Sequence, residues 1–235
     1  MLVGFSGMSH LGQTLREASH LRGFKTTVTD LEDCNLVFVT QDVEDHDDLK
    51  QVDWHMRHCL ELPAHVTVVI ASQVPPGYTS RWWKELTSKN PRLFYQVDTI
   101  IMNAALRRAT FPERFVVGCA NPYNDLPWAY MEYLLTFGCP IVKMTYESAE
   151  LTKLAINYYL SKQIEATNEL ARVADRVGAS WHDMIEGIKL DARMGAYLVP
   201  GDPRGGHLAR DVKTIEKMLG GNGCMTHSSS VATAK

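Results

Sequence analysis

Short apolar runs alternate with helix-patterned stretches along the first two-thirds of the chain. Residues 2–6 read as a buried strand entering a turn at Gly7, and residues 11–21 as a helix. Residues 25–29 (KTTVT), 36–40 (LVFVT) and 66–71 (VTVVIA) are β-rich, and the last precedes the turn signal Pro75-Pro76-Gly77. Residues 115–118 and 141–144 complete the predicted strands. Strands alternating with helices are the signature of an α/β fold with a parallel sheet. The pattern changes at Glu147. From there to Val177 no Gly or Pro occurs, and Leu151, Leu154, Tyr158, Ile164, Leu170 and Val173 recur at helical spacing. One long helix is predicted, ending at Gly178. Ser180 with Asp183 has the form of a capping box opening a second helix that runs to about Lys189. A glycine-rich loop at 201–207 precedes a last short helix from about Val212. The expected organisation is a Rossmann-like α/β domain at 1–146, the long helix with a small all-helical domain at 147–219, and a disordered tail at 220–235.

Composition narrows this picture. Of 235 residues 45% are hydrophobic and 22% charged, too apolar for a disordered chain. No run is long enough to cross a membrane, and the N-terminus carries no signal-peptide pattern. A net charge of −3 argues against nucleic acid as a partner. Five scattered cysteines without a CxxC disfavour a zinc ribbon or a disulfide framework and point to a reducing cytoplasm.

Three local signals could carry chemistry. Gly7-Met8-Ser9-His10-Leu11-Gly12 follows a strand and opens a helix, where a dinucleotide fold places its phosphate turn. Ser9 replaces the middle glycine, which weakens the pattern, and a plain strand–turn–helix is the other reading. Asp30 has the spacing of a ribose-binding carboxylate, or it simply ends a strand. Its distance from the next strand implies an unusually tight connection or a lost strand and helix. Lys153 and Asn157 share one face of the long helix, where a cation and an oriented amide could hold an alkoxide or a water. A solvated Lys beside an exposed Asn has the same spacing. In the loop ending Gly205-Gly206-His207-Leu208-Ala209-Arg210-Asp211, His207 could act as a base and Asp211 could be functional or only a helix cap. His55, His58 and Cys59 lack any further ligand pattern, so a surface helix and no metal are expected there.

Together these segments resemble the UDP-glucose/GDP-mannose 6-dehydrogenases. Ala71-Ser72-Gln73-Val74-Pro75-Pro76-Gly77 is similar to the family's Ser-Thr-Val-Pro-Pro-Gly turn, and residues 111–118 to its Asn-Pro-Asp-Arg-Ile-Val-Ile-Gly segment. Residues 149–168 resemble its central helix, with Lys153 and Asn157 at the catalytic positions. Leu190-Asp191-Ala192-Arg193-Met194-Gly195, then Pro200-Gly201 and Gly205-Gly206, resemble its Leu-Asp-Pro-Arg-Ile-Gly…Pro-Gly…Gly-Gly stretch. The resemblance implies NAD as cofactor, with NADP not excluded, and a sugar or nucleotide-sugar substrate. It also implies a homodimer through the long helix. The implied catalytic set is Lys153, Asn157, Asp211, His207 and Asp98. The implied cofactor set is Gly7, Met8, Ser9, His10, Leu11, Gly12, Asp30, Thr40 and Gln73.

The departures are specific. The family's cysteine position in Gly-Gly-x-Cys falls on His207, with no Cys nearby, and the threonine of its Ser-Thr-Val turn is Gln73. Only Asp98 lies near the place of a catalytic glutamate. The region after the phosphate turn is shortened, and the family's C-terminal nucleotide-binding domain is expected to be absent. Without the thiol that carries the second oxidation, a single two-electron oxidation of a CH–OH group is expected. The alternative is a catalytically inactive relative that serves as a binding or regulatory partner.

Overall fold

The computed structural model describes residues 1–59, 61–86, 92–98, 100, 102–191, 194 and 201–220. The chain divides into two compact units, Met1–Ile156 and Asn157–Lys235. The change of character at Glu147 marks the start of the long helix, and the division between units falls inside it. The expected disordered tail lies outside the described residues apart from Gly220.

The first unit is a seven-stranded sheet in the order β2-β1-β3-β4-β5-β6-β7. The elements run β1 (Leu2–Ser6), α1 (His10–Leu21), β2 (Lys25–Thr27), β3 (Leu36–Val39), α2 (Lys50–Cys59), β4 (Thr67–Ile70), α3 (Tyr78–Leu86), β5 (Leu93–Gln96), α4 (Ala105–Thr110), β6 (Phe115–Cys119), α5 (Trp128–Leu135), β7 (Ile141–Thr145) and the start of α6 (Tyr146–Val177). Strands β1 to β5 pair in parallel. β6 pairs antiparallel with β5, and β7 runs parallel to β6. The α/β class expected from the sequence is therefore observed, with the last two strands reversed. β5, whose run LFYQ ends in a polar residue, is not among the strands expected from the sequence.

Both faces of the sheet are covered, which explains why β3, β4 and β5 are buried at every position. On one face, Val3, Phe5 and Phe38 pack against Leu11, Leu15 and Ala18 of α1 and Tyr130 and Tyr133 of α5. On the other, Val37, Val39, Val68 and Ile70 meet Val52 and Met56 of α2, Tyr78 and Trp82 of α3, and Tyr146 and Ala149 of α6.

The connection from β2 to β3 crosses β1 and is as tight as the sequence implied. Residues 28–35 reach at most about 26 Å when extended, while the descent and two strand spacings need about 10 Å each. The crossing is made by a 3-10 turn, Leu31–Asp33, passing over β1 at Gly4. A Cβ on Gly4 would lie 2.7 Å from Leu31 Cδ2 and 2.8 Å from Cys34 Sγ, so a side chain there would force Leu31 and Cys34 to shift off the strand. Among the described residues no strand pairs beyond β2, which is an edge of the sheet.

The second unit holds the rest of α6, then α7 (Trp181–Lys189) and α8 (Leu208–Met218). Gly178 follows α6 with φ 74°, and Ser180 caps α7 by accepting the Asp183 N–H at 3.2 Å, as the sequence indicated. α8 begins at Leu208, earlier than the expected Val212. The polar segment Leu208–Asp211, read as loop, is helical because Arg210 and Asp211 turn inward. The glycine loop lies on α6. The Asn168 amide donates to Gly201 O at 2.8 Å and accepts from Gly201 N at 3.0 Å, and Ser161 Oγ donates to Pro203 O at 2.7 Å. Among the described residues no helix is long and apolar enough to cross a membrane.

Glu150, fully buried on α6, ties that helix to α3. Its carboxylate accepts from Gly77 N at 2.7 Å and Thr79 N at 2.8 Å, at the positive end of α3. Desolvation outweighs these bonds and raises its pKa to about 7. A carboxyl raised in the fold stabilises fully below its unfolded pKa near 4.5, and that contribution is lost as pH rises through about 7. Stability measured by urea unfolding is expected to fall across this window relative to Glu150→Gln, by on the order of 3 kcal/mol. Parallel pH curves for the two proteins would contradict this.

Candidate functional site at the carboxyl edge of the sheet

In an open parallel sheet, ligands bind outside the carboxyl ends of the strands where the strand order reverses. Here the chain leaves β1 toward β2 and then returns to β3, so the crevice lies between β1 and β3. The two loops that border it are the turn 7–9 and residues 40–42.

The β1–α1 turn has the backbone of a phosphate turn. Gly7 has φ 95°, a conformation side chains rarely adopt. A Cβ on Gly12 would lie 2.2 Å from Gly7 O and 2.6 Å from Thr40 Oγ1, so α1 approaches the end of β1 as closely as a glycine allows. The fit to a dinucleotide turn therefore holds at Gly7 and Gly12. It changes at the middle position. Ser9 Oγ donates to Thr40 O at 2.6 Å and accepts from Asp42 N at 3.0 Å. Thr40 Oγ1 donates to Gly7 O at 2.5 Å, and Asp42 Oδ2 accepts the His10 N–H at 3.0 Å. The replacement of the middle glycine thus links the two loops across the crevice. Met8 O accepts from Gln13 Nε2 at 3.1 Å, and Leu11 is buried under the helix. Asp30 stands at the start of the 3-10 turn with φ 50°, and its carboxylate accepts from Thr29 Oγ1 at 2.8 Å.

Further along the same edge, three loops present a buried polar cluster. Gln73 follows β4 and Asp98 follows β5, and Gln73 Nε2 donates to Asp98 Oδ2 at 3.3 Å. Ile100 N donates to the other Asp98 oxygen at 3.1 Å, and His46 Nε2 donates to Gln73 O at 3.0 Å. Lys153 on α6 is only 4% exposed, and its charge acts on Asp98. Burial raises the Asp98 pKa against the opposing pull of Lys153, Gln73 and the Ile100 N–H, and Asp42 adds to the rise. The alternative of a solvated Lys beside an exposed Asn is excluded, because both Lys153 and Asn157 are buried.

In the second unit, Asn157 Nδ2 donates to Asp211 Oδ2 at 2.5 Å, while Arg210 Nε and a terminal guanidinium nitrogen each reach Asp211 Oδ1 at 2.7 Å. Asp211 is fully buried, and its carboxylate faces α6 instead of capping α8. The N-cap position belongs to His207, which is exposed. Lys153 and Asn157 stand one turn apart on α6, on either side of the division between units.

Sequence reasoning gave no role to Asp42, His46 or Arg210. Asp42 lies in the acidic run 42–48, which reads as a solvated loop, and its partner His10 is 32 residues away. His55, weighed as a metal ligand, shares a hydrogen bond with Ser6 Oγ at 2.8 Å, and His58 Nδ1 donates to Trp54 O at 2.8 Å. Among the described residues no group of three potential ligands gathers around a metal position.

Comparison with known proteins agrees with this architecture. Residues 147–232 match the family described as UDP-glucose/GDP-mannose dehydrogenase family, central domain. The UDP-glucose 6-dehydrogenase of Streptococcus pneumoniae is 27% identical over 180 residues, covering 72% of this chain and 45% of that protein. An uncharacterized protein of Methanocaldococcus jannaschii is 30% identical over 189 residues, covering 73% of this chain and 20% of its own length. The chain thus spans less than half the length of these relatives. The structure of a UDP-glucose dehydrogenase from Pyrobaculum islandicum superposes with a TM-score of 0.77 at 19% identity, over 92% of this chain and 63% of that one, a likeness of fold. The long helix, the glycine turn and the Lys–Asn spacing are in place, and the chain is similar to the UDP-glucose/GDP-mannose dehydrogenase family, whose central domain matches residues 147–232.

Proposed function

We propose that the chain is an NAD(P)-dependent oxidoreductase that oxidises a CH–OH group of a sugar or nucleotide sugar in one two-electron step. The observation that carries this reading is the buried Lys153 whose charge acts on Asp98 at the carboxyl edge of the sheet, the same edge that carries a turn with dinucleotide geometry. A lysine without exposure is costly unless a charge partner holds it, and functional sites are where such arrangements concentrate. When bound, the nicotinamide supplies the hydride acceptor. Gly7 to Gly12 would hold its diphosphate and Asp30 its ribose, with Thr40 and Gln73 bordering the crevice. Lys153 holds the hydroxyl oxygen and stabilises the developing alkoxide. Asp98, made more basic by burial, receives the proton. Asn157 and Asp211 keep the roles that the family resemblance implies.

The cysteines support the single step. Burial pushes Cys34 up to about 11 and Cys59 up to about 12, and also raises Cys119 and Cys139. In each of these four thiols burial outweighs any nearby cation, Lys143 at Cys119 and Arg22 at Cys139, so the thiol form is favoured. On α6, the exposed Tyr159, Leu170, Val173 and Val177 recur at helical spacing and suit a second copy of the chain. A second reading, a non-catalytic binding partner, is favoured by the hydrogen bonds that Ser9 and Asp42 make across the crevice.

Turnover of UDP-glucose and GDP-mannose with NAD, followed by NADH absorbance, is expected to fall about 100-fold or more in Lys153→Met, with NADH affinity within about threefold of wild type. Equal turnover in the variant would remove Lys153 from the chemistry. The product is expected to be an aldehyde or ketone formed with one NADH per sugar. Two NADH per sugar and a carboxylate would contradict the single step. Sedimentation equilibrium is expected to show a dimer that Val173→Glu dissociates, and a wild-type monomer would contradict the proposed α6 contact.

A further inference from the structure

We propose that Asp42 is a built-in anion that occupies the diphosphate position of the crevice and sets the affinity for dinucleotide. This rests on the reading of the β1–α1 turn as a cofactor turn. The N-terminal amides of the first helix are the donors that a diphosphate would use, because they lack partners within the helix and the helix dipole favours negative charge there. In this chain the His10 N–H, at the first position of α1, is already given to the Asp42 carboxylate at 3.0 Å.

A second, independent set of contacts holds Asp42 in that place. Its own N–H donates to Ser9 Oγ at 3.0 Å, the same hydroxyl donates to Thr40 O at 2.6 Å, and Thr40 Oγ1 donates to Gly7 O at 2.5 Å. The serine that replaces the middle glycine is therefore the anchor of the carboxylate. Ser9, the departure from the dinucleotide pattern, and Asp42 act as one device. The setting reinforces it. Residues 42–48 carry five carboxylates, Asp42, Glu44, Asp45, Asp47 and Asp48, with Lys50 paired to Asp48 at 3.7 Å. The Asp42 charge is also felt at Asp98, so the same carboxylate bears on both the crevice and the Lys153 pair.

A diphosphate entering the crevice must displace the carboxylate or lie beside it, and like charges at contact distance repel. The consequence distinguishes this crevice from an ordinary phosphate site. Salt weakens binding where cations attract phosphate, but here screening of the acidic loop strengthens it.

The test is NADH titration of the full chain by fluorescence, at low and high salt, for wild type, Asp42→Asn and Asp42→Ala, with adenosine as a phosphate-free probe. Asparagine keeps an acceptor for the His10 N–H and removes only the charge. Asp42→Asn and Asp42→Ala are expected to bind NADH about ten-fold more tightly, with adenosine affinity unchanged. Wild-type NADH affinity is expected to rise with salt, and the variants are expected to lose that rise. NADH binding by the variants alone also supports the proposal, and places release of Asp42 before any turnover by the wild type. Wild-type binding that Asp42→Asn leaves equal or weaker overturns the role of Asp42 while the oxidoreductase reading stands. Absence of NADH binding in all three proteins overturns both.

Discussion

The close approach of α1 to the ends of β1 and β3 governs this molecule. At Gly12 the helix lies so near Gly7 O and Thr40 Oγ1 that a single added carbon would sit at 2.2 Å and 2.6 Å from them. That contact fixes the direction of the helix axis, and with it the place where the first amides of α1 point. It also brings the loop after β3 within hydrogen-bonding reach of the turn. Everything at the crevice follows from this geometry, including the exchange of bonds among Ser9, Thr40 and Asp42. The crossing from β2 to β3 is made by a short 3-10 turn that lies against another glycine, Gly4.

A second constraint is charge buried on α6. Within one turn of helix, Glu150 accepts the amides that open α3, and Lys153 faces Asp98. Both carboxyls are raised above the ordinary range by burial, and each is held by donors from the loops that follow the strands. The same helix that covers the sheet therefore delivers a cation to its carboxyl edge. Burying these groups costs stability, and their partners offset only part of that cost. A chain that needed α6 only as a packing element could use apolar residues there.

Much of this was legible in the sequence, for physical reasons particular to each element. β1, β3 and β4 are apolar runs buried on both faces, and such runs report themselves without any partner. The long helix was readable from the absence of Gly and Pro and from its cap at Gly178. The reversal of β6 was not readable, because pairing direction depends on strands distant in sequence. The burial of Lys153 was hidden, since helical spacing gives an exposed and a buried lysine the same pattern. Asp211 was read as a possible cap, whereas the residues that fix its direction, Asn157 and Arg210, lie on α6 and inside α8. Asp42 was the hardest to see. Its neighbours are acidic and polar, and only the fold shows that one member of the run reaches the start of α1.

The most direct measurement is an amide NMR titration with NAD, which reads the crevice residue by residue without requiring turnover. The Gly7, His10, Gly12 and Asp42 amides are expected to shift together and saturably, with Lys153 following through a selectively labelled side chain. Amides at the turn that stay unmoved at millimolar cofactor would contradict the assignment of the crevice to a dinucleotide.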